Sequence, residues 1–242
     1  MSHHCVEAHD LYYTYPDGTP GLDGVSFRIT HGQSVALVGA NGAGKSTLLL
    51  HLNGCLLPTR GSVHIGDLPV TAKTRPAIRR SVGMVFQDSD DQLFMPTVYE
   101  DVAFGPMNLG LEPADVEQVV QRALERVEAA HLKDRPPFRL SMGEKRRVAI
   151  AAVLAMAPDV LVMDEPSSGL DPRARRELID LLKTFEHTKI IATHDLDLAL
   201  QVCPRTIVLG RGKTLADGPT ADIFADAALL TQSRLEKPLS MP

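Results

Sequence analysis

The stretch Gly39-Ala40-Asn41-Gly42-Ala43-Gly44-Lys45-Ser46-Thr47 constrains this chain more than any other. Its glycines and closing Lys-Ser match the phosphate-binding loop pattern. The apolar run Val35 to Val38 predicts a buried parallel strand before the loop, and Ser46 to Leu52 predicts the first turns of a helix after it. That strand-loop-helix context makes the chain an α/β protein. Gly39, Gly42 and Gly44 let successive backbone N–H groups turn inward, so that an anion nest forms at the positive end of the helix. Lys45 would then place its ammonium on the β and γ phosphates of a nucleotide, Ser46 would give its hydroxyl to Mg²⁺, and Thr47 could reach the α phosphate. The plainer alternative is a glycine-rich turn that only starts a helix.

Composition narrows the partners. A chain of 242 residues with 44% hydrophobic content can bury a core as one large domain, or as one domain with a small lobe. Aromatic residues make up only 5%, Trp is absent and the formal net charge is −5, so a nucleic-acid partner is not expected. Cys5, Cys55 and Cys203 are far apart and form no Cys-x-x-Cys pair, which fits a reducing cytoplasm. No apolar stretch approaches the roughly 20 residues of a membrane span, and the N-terminus lacks signal-peptide order, so a soluble protein is expected. Met1-Ser2-His3, or Ser2-His3-His4 after loss of Met1, could offer nitrogens to Cu²⁺ or Ni²⁺; a polar start with no role is the simpler reading.

Taken in order, Tyr12, Tyr13 and Tyr15 precede the turn Pro16-Asp17-Gly18 and end a strand expected to pair antiparallel with Val25 to Ile29. Ser62 to Ile65 is strand-like, and Val82 to Phe86 is a strand that presents Gln87 at its C-terminal end, where α/β sheets place chemistry. An acidic turn follows, with Asp88, Asp90 and Asp91 and then Glu100 and Asp101; it is either a solvated loop or a dock for a basic partner. Pro96-Thr97 starts a helix through Phe104. Glu112-Pro113 opens an amphipathic helix with Val116, Val119, Val120, Ala123, Leu124 and Val127 on one face, expected to end at Arg135-Pro136-Pro137. Ser141 and Glu144 form a capping-box pattern ahead of an apolar helix. Val160 to Met163 is a central strand ending in Asp164-Glu165, two adjacent carboxylates that call for a cation or a reactive water. Asp171-Pro172 caps a helix whose buried face carries Leu178, Leu181 and Leu182. Lys189 to Thr193 is a further strand with His194 at its end. A hairpin around Gly210-Arg211-Gly212 and a short helical tail complete the chain.

This order of motifs resembles the ATP-binding subunit of ABC transporters over about residues 6 to 224. The resemblance implies a P-loop NTPase of mixed sheet, with flanking helices, an antiparallel N-terminal part and an inserted helical lobe. It makes 1–242 one ATP-binding domain, with the lobe at about 93–157 and a tail at 219–242. It also implies ATP hydrolysis by a head-to-tail dimer. Matching positions give Tyr15 to the adenine, Gly39, Asn41, Gly42, Gly44, Lys45, Ser46 and Thr47 to the phosphates, and Ser46, Gln87 and Asp164 to Mg²⁺. They give Glu165 to the attacking water, with Gln87 sensing both metal and water, and His194 to the γ phosphate. Ser141 and Gly143 cap the partner's nucleotide, and Asp171 communicates across the dimer. The family usually has Leu-Ser-Gly-Gly-Gln where this chain has Leu140-Ser141-Met142-Gly143-Glu144. The added bulk and charge lead us to expect slowed turnover.

Within that family, Phe86 to Phe94, Pro96-Thr97-Val98 and Asp101 to Pro106 are similar to the ATPases of energy-coupling factor importers. That likeness implies a transmembrane coupling subunit docked through Asp88, Asp90, Asp91, Gln92, Leu93 and Phe94, with basic coupling helices meeting the acidic cluster. A substrate-capture membrane subunit would act beyond it, and the chain would sit peripherally on the cytoplasmic face of the membrane. The second ATPase is a further copy or a related paralogue. Cobalt or nickel is the expected solute. Two alternatives stay open: an importer for another solute such as a vitamin, and an ATP-gated dimerising switch outside transport.

Overall fold

The computed structural model describes residues 6–241. His3, His4 and Cys5, and with them the copper or nickel reading of the N-terminus, lie outside the described residues. The chain divides into two compact units: the first takes everything up to Val82, Asp159–Glu165 and the chain from Glu186 onward; the second takes Gly83–Pro158 and Pro166–Phe185.

In the first unit, β1 (Val6–Thr14), β2 (Pro20–Ile29), β4 (Arg60–Ile65) and β5 (Leu68–Pro69) form an antiparallel sheet in the order β2-β1-β4-β5. Val6 lies opposite Ile29 and Leu11 opposite Val25, the pairing expected. The second strand starts earlier than its apolar run, so that Tyr12 and Tyr13 face Asp23 and Leu22. A mostly parallel sheet is built from β3 (Ser34–Val38), β7 (Val160–Asp164), β8 (Thr188–Ala192), β9 (Arg205–Gly210) and β10 (Lys213–Pro219) in the order β10-β9-β3-β8-β7. Every residue of β7 and β8 is buried, Thr188 and Lys189 at the start of β8 and Asp164 at the end of β7 included, as expected when both faces of a sheet are covered. The register sets Val35 beside Ile190 and Arg205, and Asp164 beside Ala192. The loop after β3, the carboxylates after β7 and His194 after β8 therefore leave from one sheet edge, the C-terminal edge of the parallel strands. Helices α1 (Lys45–Leu52), α2 (Arg75–Ser81), α7 (Leu196–Val202), α8 (Thr220–Ala225) and α9 (Ala227–Gln232) complete this unit.

Strand β6 (Val82–Val85) carries the chain into the second unit, whose helices are α3 (Val98–Asn108), α4 (Pro113–Arg126), α5 (Met142–Leu154) and α6 (Pro172–Lys183). Val102, Val116, Val120, Leu124, Val148 and Ile150 form its core. Three sequence expectations shift here. The fourth helix stops at Arg126, well before Arg135-Pro136-Pro137, because Glu128 takes a left-handed φ of 56° and Ala129 N–H turns back to Leu124 O at 2.8 Å. The third helix runs past Phe104 to Asn108, carrying Pro106 in its last turn. On α6, Ile179 joins Leu178 and Leu182 in the core, whereas Leu181 is half-buried, because a helix turning 100° per residue brings 178, 179 and 182 to one side. The amphipathic face of α4, the capping box of α5 and the Asp171 cap of α6 all form.

Candidate active site

The nucleotide-loop residues of the first unit are tied to one another by short bonds. Gly42 and Gly44 take φ of 76° and 105°, the left-handed conformations an inward-turned loop requires. Gly39 is fixed by a close approach, since a Cβ there would stand 2.3 Å from Leu209 O. The turn after β9 is itself bonded to the loop, through Gly212 N–H to Ala43 O at 2.9 Å. Gly44 is the N-cap of α1 and provides no side-chain cap, so the opening N–H groups of that helix keep their anion-binding capacity. Lys45 is buried, and its ammonium donates to Gly39 O at 2.8 Å and Ala40 O at 3.4 Å. Asn41, Gly42 and Ser46 are exposed.

Glu165 follows β7 in a left-handed conformation, φ 45°, with its N–H bonded to Ala192 O at 2.8 Å. That turn aims the buried carboxylate at two groups. Oε2 accepts from the backbone N–H of His194 at 3.0 Å and lies 2.7 Å from Nδ1 of the same residue, while Oε1 lies 3.8 Å from the Lys45 ammonium. The Glu165 side chain is 8% exposed and that of His194 63% exposed, so one residue joins a buried carboxylate to the surface. Asp164 is buried at the end of β7. The chemistry available is charge placement: a cation and helix dipole for phosphate, and an oriented carboxylate able to hold or take a proton from water.

Tyr15 lies just past β1, where the turn closes through Tyr15 N–H to Thr19 O at 2.8 Å. Its ring is half-buried and its hydroxyl lies 2.8 Å from Thr47 Oγ1. Mg²⁺ suits the oxygen donors present: Ser46 opens α1, Asp164 ends β7, and these two elements pack together. Among the described residues no group of three His, Cys, Asp or Glu could cage a metal alone. Mg²⁺ bound through one carboxylate, a hydroxyl, phosphate and water needs no such cage.

The other predicted residues stand in the second unit. Gln87 is exposed, and its carbonyl, like that of Phe86, accepts from the Arg146 guanidinium at 2.6 Å. Ser141 caps α5 through Glu144 N–H at 3.3 Å, while the Glu144 carboxylate accepts from Ser141 N–H at 2.8 Å. That backbone bond holds the Glu144 carboxyl below the usual carboxylate range. Met142 is exposed and rests on Gly169, φ 73°, where a Cβ would stand 2.4 Å from its sulfur. Gly143 would place a Cβ 3.1 Å from Ala174. Asp171 is exposed and caps α6 by accepting from Arg173 and Ala174 N–H at 2.8 and 3.0 Å.

The acidic stretch is partly engaged within the unit. Asp88 caps a 3₁₀ turn by accepting from Asp90 N–H at 2.9 Å, and Asp90 pairs with Lys145 at 2.6 Å. Gln92 donates to Ala149 O at 2.8 Å and accepts from Phe86 N–H at 3.3 Å. Asp101 is buried, accepts from Phe94 and Met95 N–H, and is pushed up by that burial. Asp91 is exposed and Leu93 buried. Phe94, Phe104 and Met107 are exposed, with the two rings edge to face at 5.1 Å. Sequence reasoning did not single out Arg146, Gly169 or His51; the one local signal was a cation, Arg146, on the face of α5 that is otherwise apolar.

A family model described as ABC transporter matches residues 22–168. An ABC transporter ATP-binding protein of Geobacter sulfurreducens, so far named only provisionally, is 66% identical over 100% of this chain and 97% of its own length. The energy-coupling factor transporter ATP-binding protein EcfA of Methanocaldococcus jannaschii is 46% identical over 96% of this chain and 85% of its length. Among solved structures, cbiO1 of Clostridium perfringens, part of the ABC transporter complex cbiONQ, is 40% identical with a TM-score of 0.84 over 95% of this chain and 94% of that one. A dimeric ATP-binding cassette holding ADP and Pi is 27% identical with a TM-score of 0.80 over 89% of this chain and 98% of that one. With its phosphate loop, buried carboxylates and sheet-edge histidine in one unit, this chain belongs to the ABC transporter family and is an ATP-binding, ATP-hydrolysing subunit of the energy-coupling factor type.

Proposed function

We propose that this subunit hydrolyses ATP to drive uptake of cobalt or nickel ions through separate membrane subunits. The observation carrying the hydrolytic part is the Glu165 carboxylate, held by His194 within 3.8 Å of the Lys45 ammonium beside the phosphate loop. Glu165 together with one complete phosphate loop favours hydrolysis over a switch.

In this reading Tyr15 faces the base, and Gly39, Asn41, Gly42, Gly44, Lys45 and Thr47 hold the phosphates. Ser46, Asp164 and Gln87 hold Mg²⁺, which supplies charge neutralisation when bound. Glu165 orients and deprotonates the water, and His194 keeps the carboxylate turned toward it while reaching the γ phosphate. Ser141, Gly143 and Asp171 of a second ATPase subunit, a copy or a paralogue, complete the site. Asp88, Asp90, Asp91, Gln92, Leu93 and Phe94 receive a transmembrane coupling subunit, behind which a capture subunit binds the ion. The whole chain serves as one ATP-binding domain with a helical lobe at about 93–157 and a tail at 219–242, peripheral to the membrane; among the described residues no helix is long and apolar enough to cross one.

The test is co-purification with the membrane subunits, reconstitution into vesicles and measurement of ATP-driven uptake of radioactive cobalt and nickel. Uptake of either ion by the wild type and none by Lys45→Ala is expected. Uptake of a vitamin alone would replace the solute, and ATP-driven uptake by Lys45→Ala would overturn the site.

A further inference from the structure

A connected group of side chains surrounds the first turns of α1. Tyr15 OH lies 2.8 Å from Thr47 Oγ1. The Tyr15 ring meets Tyr13 edge to face at 4.9 Å, and Tyr13 meets His51 in the same way at 4.8 Å. His51 is fully buried, and its Nδ1 returns to the Thr47 carbonyl at 2.7 Å. The group closes on itself: both ends reach Thr47, one at its side chain and one at its backbone. Gly21 fits against it so closely that a Cβ there would stand 3.0 Å from the Thr47 methyl, 3.0 Å from the Tyr15 ring and 3.2 Å from Tyr13.

Of the two hydroxyls, a phenol O–H is intrinsically a stronger hydrogen-bond donor than an aliphatic alcohol. With Tyr15 donating, Thr47 Oγ1 accepts and keeps its own proton for another acceptor. Donation into an oxygen also polarises the O–H it carries, which strengthens the next bond in the chain. Burial pushes His51 below the ordinary imidazole range, so that near neutral pH the ring packs as an uncharged wedge under Tyr13.

We propose that Tyr15 acts as a positioning residue through its hydroxyl, setting the Thr47 O–H toward the phosphate of a nucleoside triphosphate, with Tyr13 and His51 as the buttress that fixes the ring. Base contact and phosphate contact then form as one event. This rests on the reading of Tyr15 and Thr47 as nucleotide contacts.

The experiment is a double-mutant cycle on the full chain, with ATP affinity measured by titration calorimetry and steady-state KM and kcat measured on the assembled transporter. Tyr15→Phe keeps the aromatic face and Thr47→Val keeps the shape of the side chain. Each single change should weaken ATP by about fivefold, the worth of one neutral hydrogen bond, and raise KM with little change in kcat. The double variant should be no weaker than the singles, and Thr47→Ser should restore wild-type affinity. Losses that multiply to about 25-fold in the double variant would overturn the link. So would wild-type affinity in Tyr15→Phe. Tyr15→Ala separates the two levels: if it binds ATP as the wild type does, the underlying assignment of Tyr15 fails, whereas weakened binding by Tyr15→Ala with no effect of Tyr15→Phe fails the hydroxyl link alone.

Discussion

The start of α1 and the start of α5 are both helix N-termini that sequence assigns to ATP, and the chain finishes them in opposite ways. At α1 the N-cap is Gly44, φ 105°, with no side chain to spend on the exposed N–H groups. At α5 the N-cap is Ser141, and a complete capping box with Glu144 satisfies two backbone donors from within. One terminus has its donors ready for an anion, and the other has a carboxylate already seated there. The family's usual Gln would seat an amide in the same place without the charge. An anion arriving at α5 would therefore meet a finished cap and a carboxylate, which weakens the attraction of that helix end.

The largest expected effect tests the open end. Lys45→Ala removes the cation beside that loop and should abolish ATP hydrolysis by the assembled transporter, read as phosphate release; measurable turnover would break the comparison. Glu165→Gln should stop phosphate release yet keep nucleotide binding and trap an ATP-bound dimer, visible as a stable dimer peak in size-exclusion chromatography. Gly39→Ala puts a methyl 2.3 Å from a backbone carbonyl, and relief by backbone movement costs about 1–3 kcal/mol, seen as a lower Tm together with weaker ATP binding. Met142→Gly clears the closed end and should raise turnover severalfold if its bulk slows the approach of ATP; unchanged turnover would show that the side chain is spent on Gly169 alone. The smallest effect belongs to Glu144→Gln, which keeps the capping box but removes the charge. It should shift stability by less than about 0.5 kcal/mol and raise turnover modestly at low salt, with the gain disappearing at high ionic strength.

How far these sites were legible depended on distance along the chain. The phosphate loop, the capping box at Ser141 and the cap at Asp171 are local patterns, set by residues within a turn of one another, and the sequence displays them whole. The ends of two strands were legible too, since the apolar runs leading to Asp164 and His194 need only a parallel sheet to be brought near one edge. What escaped depends on pairings between distant residues: Glu165 with His194, Asp90 with Lys145 and Arg146 with the carbonyls of Phe86 and Gln87 join positions 29, 55 and about 60 apart. No pattern in a single sequence announces such bonds. The acidic stretch shows the cost, because its charges read as one surface, whereas the fold seats Asp101 as a buried acceptor and gives Asp90 to Lys145. Asp88 and Asp91 stay at the surface, and Phe94, Phe104 and Met107 stand outward as well, so this unit exposes apolar as well as acidic groups that charge counting did not register.

The grip of Arg146 has a consequence for motion. Two short bonds from one guanidinium to adjacent carbonyls act as a hinge pin between the second turn of α5 and the backbone on which Gln87 is carried. A hydrogen bond tolerates only about half an ångström of stretch before it fails. Any displacement of the Gln87 segment must therefore drag the start of α5 with it, or else break both bonds at once. The pin makes a single moving part of two pieces that sequence holds far apart.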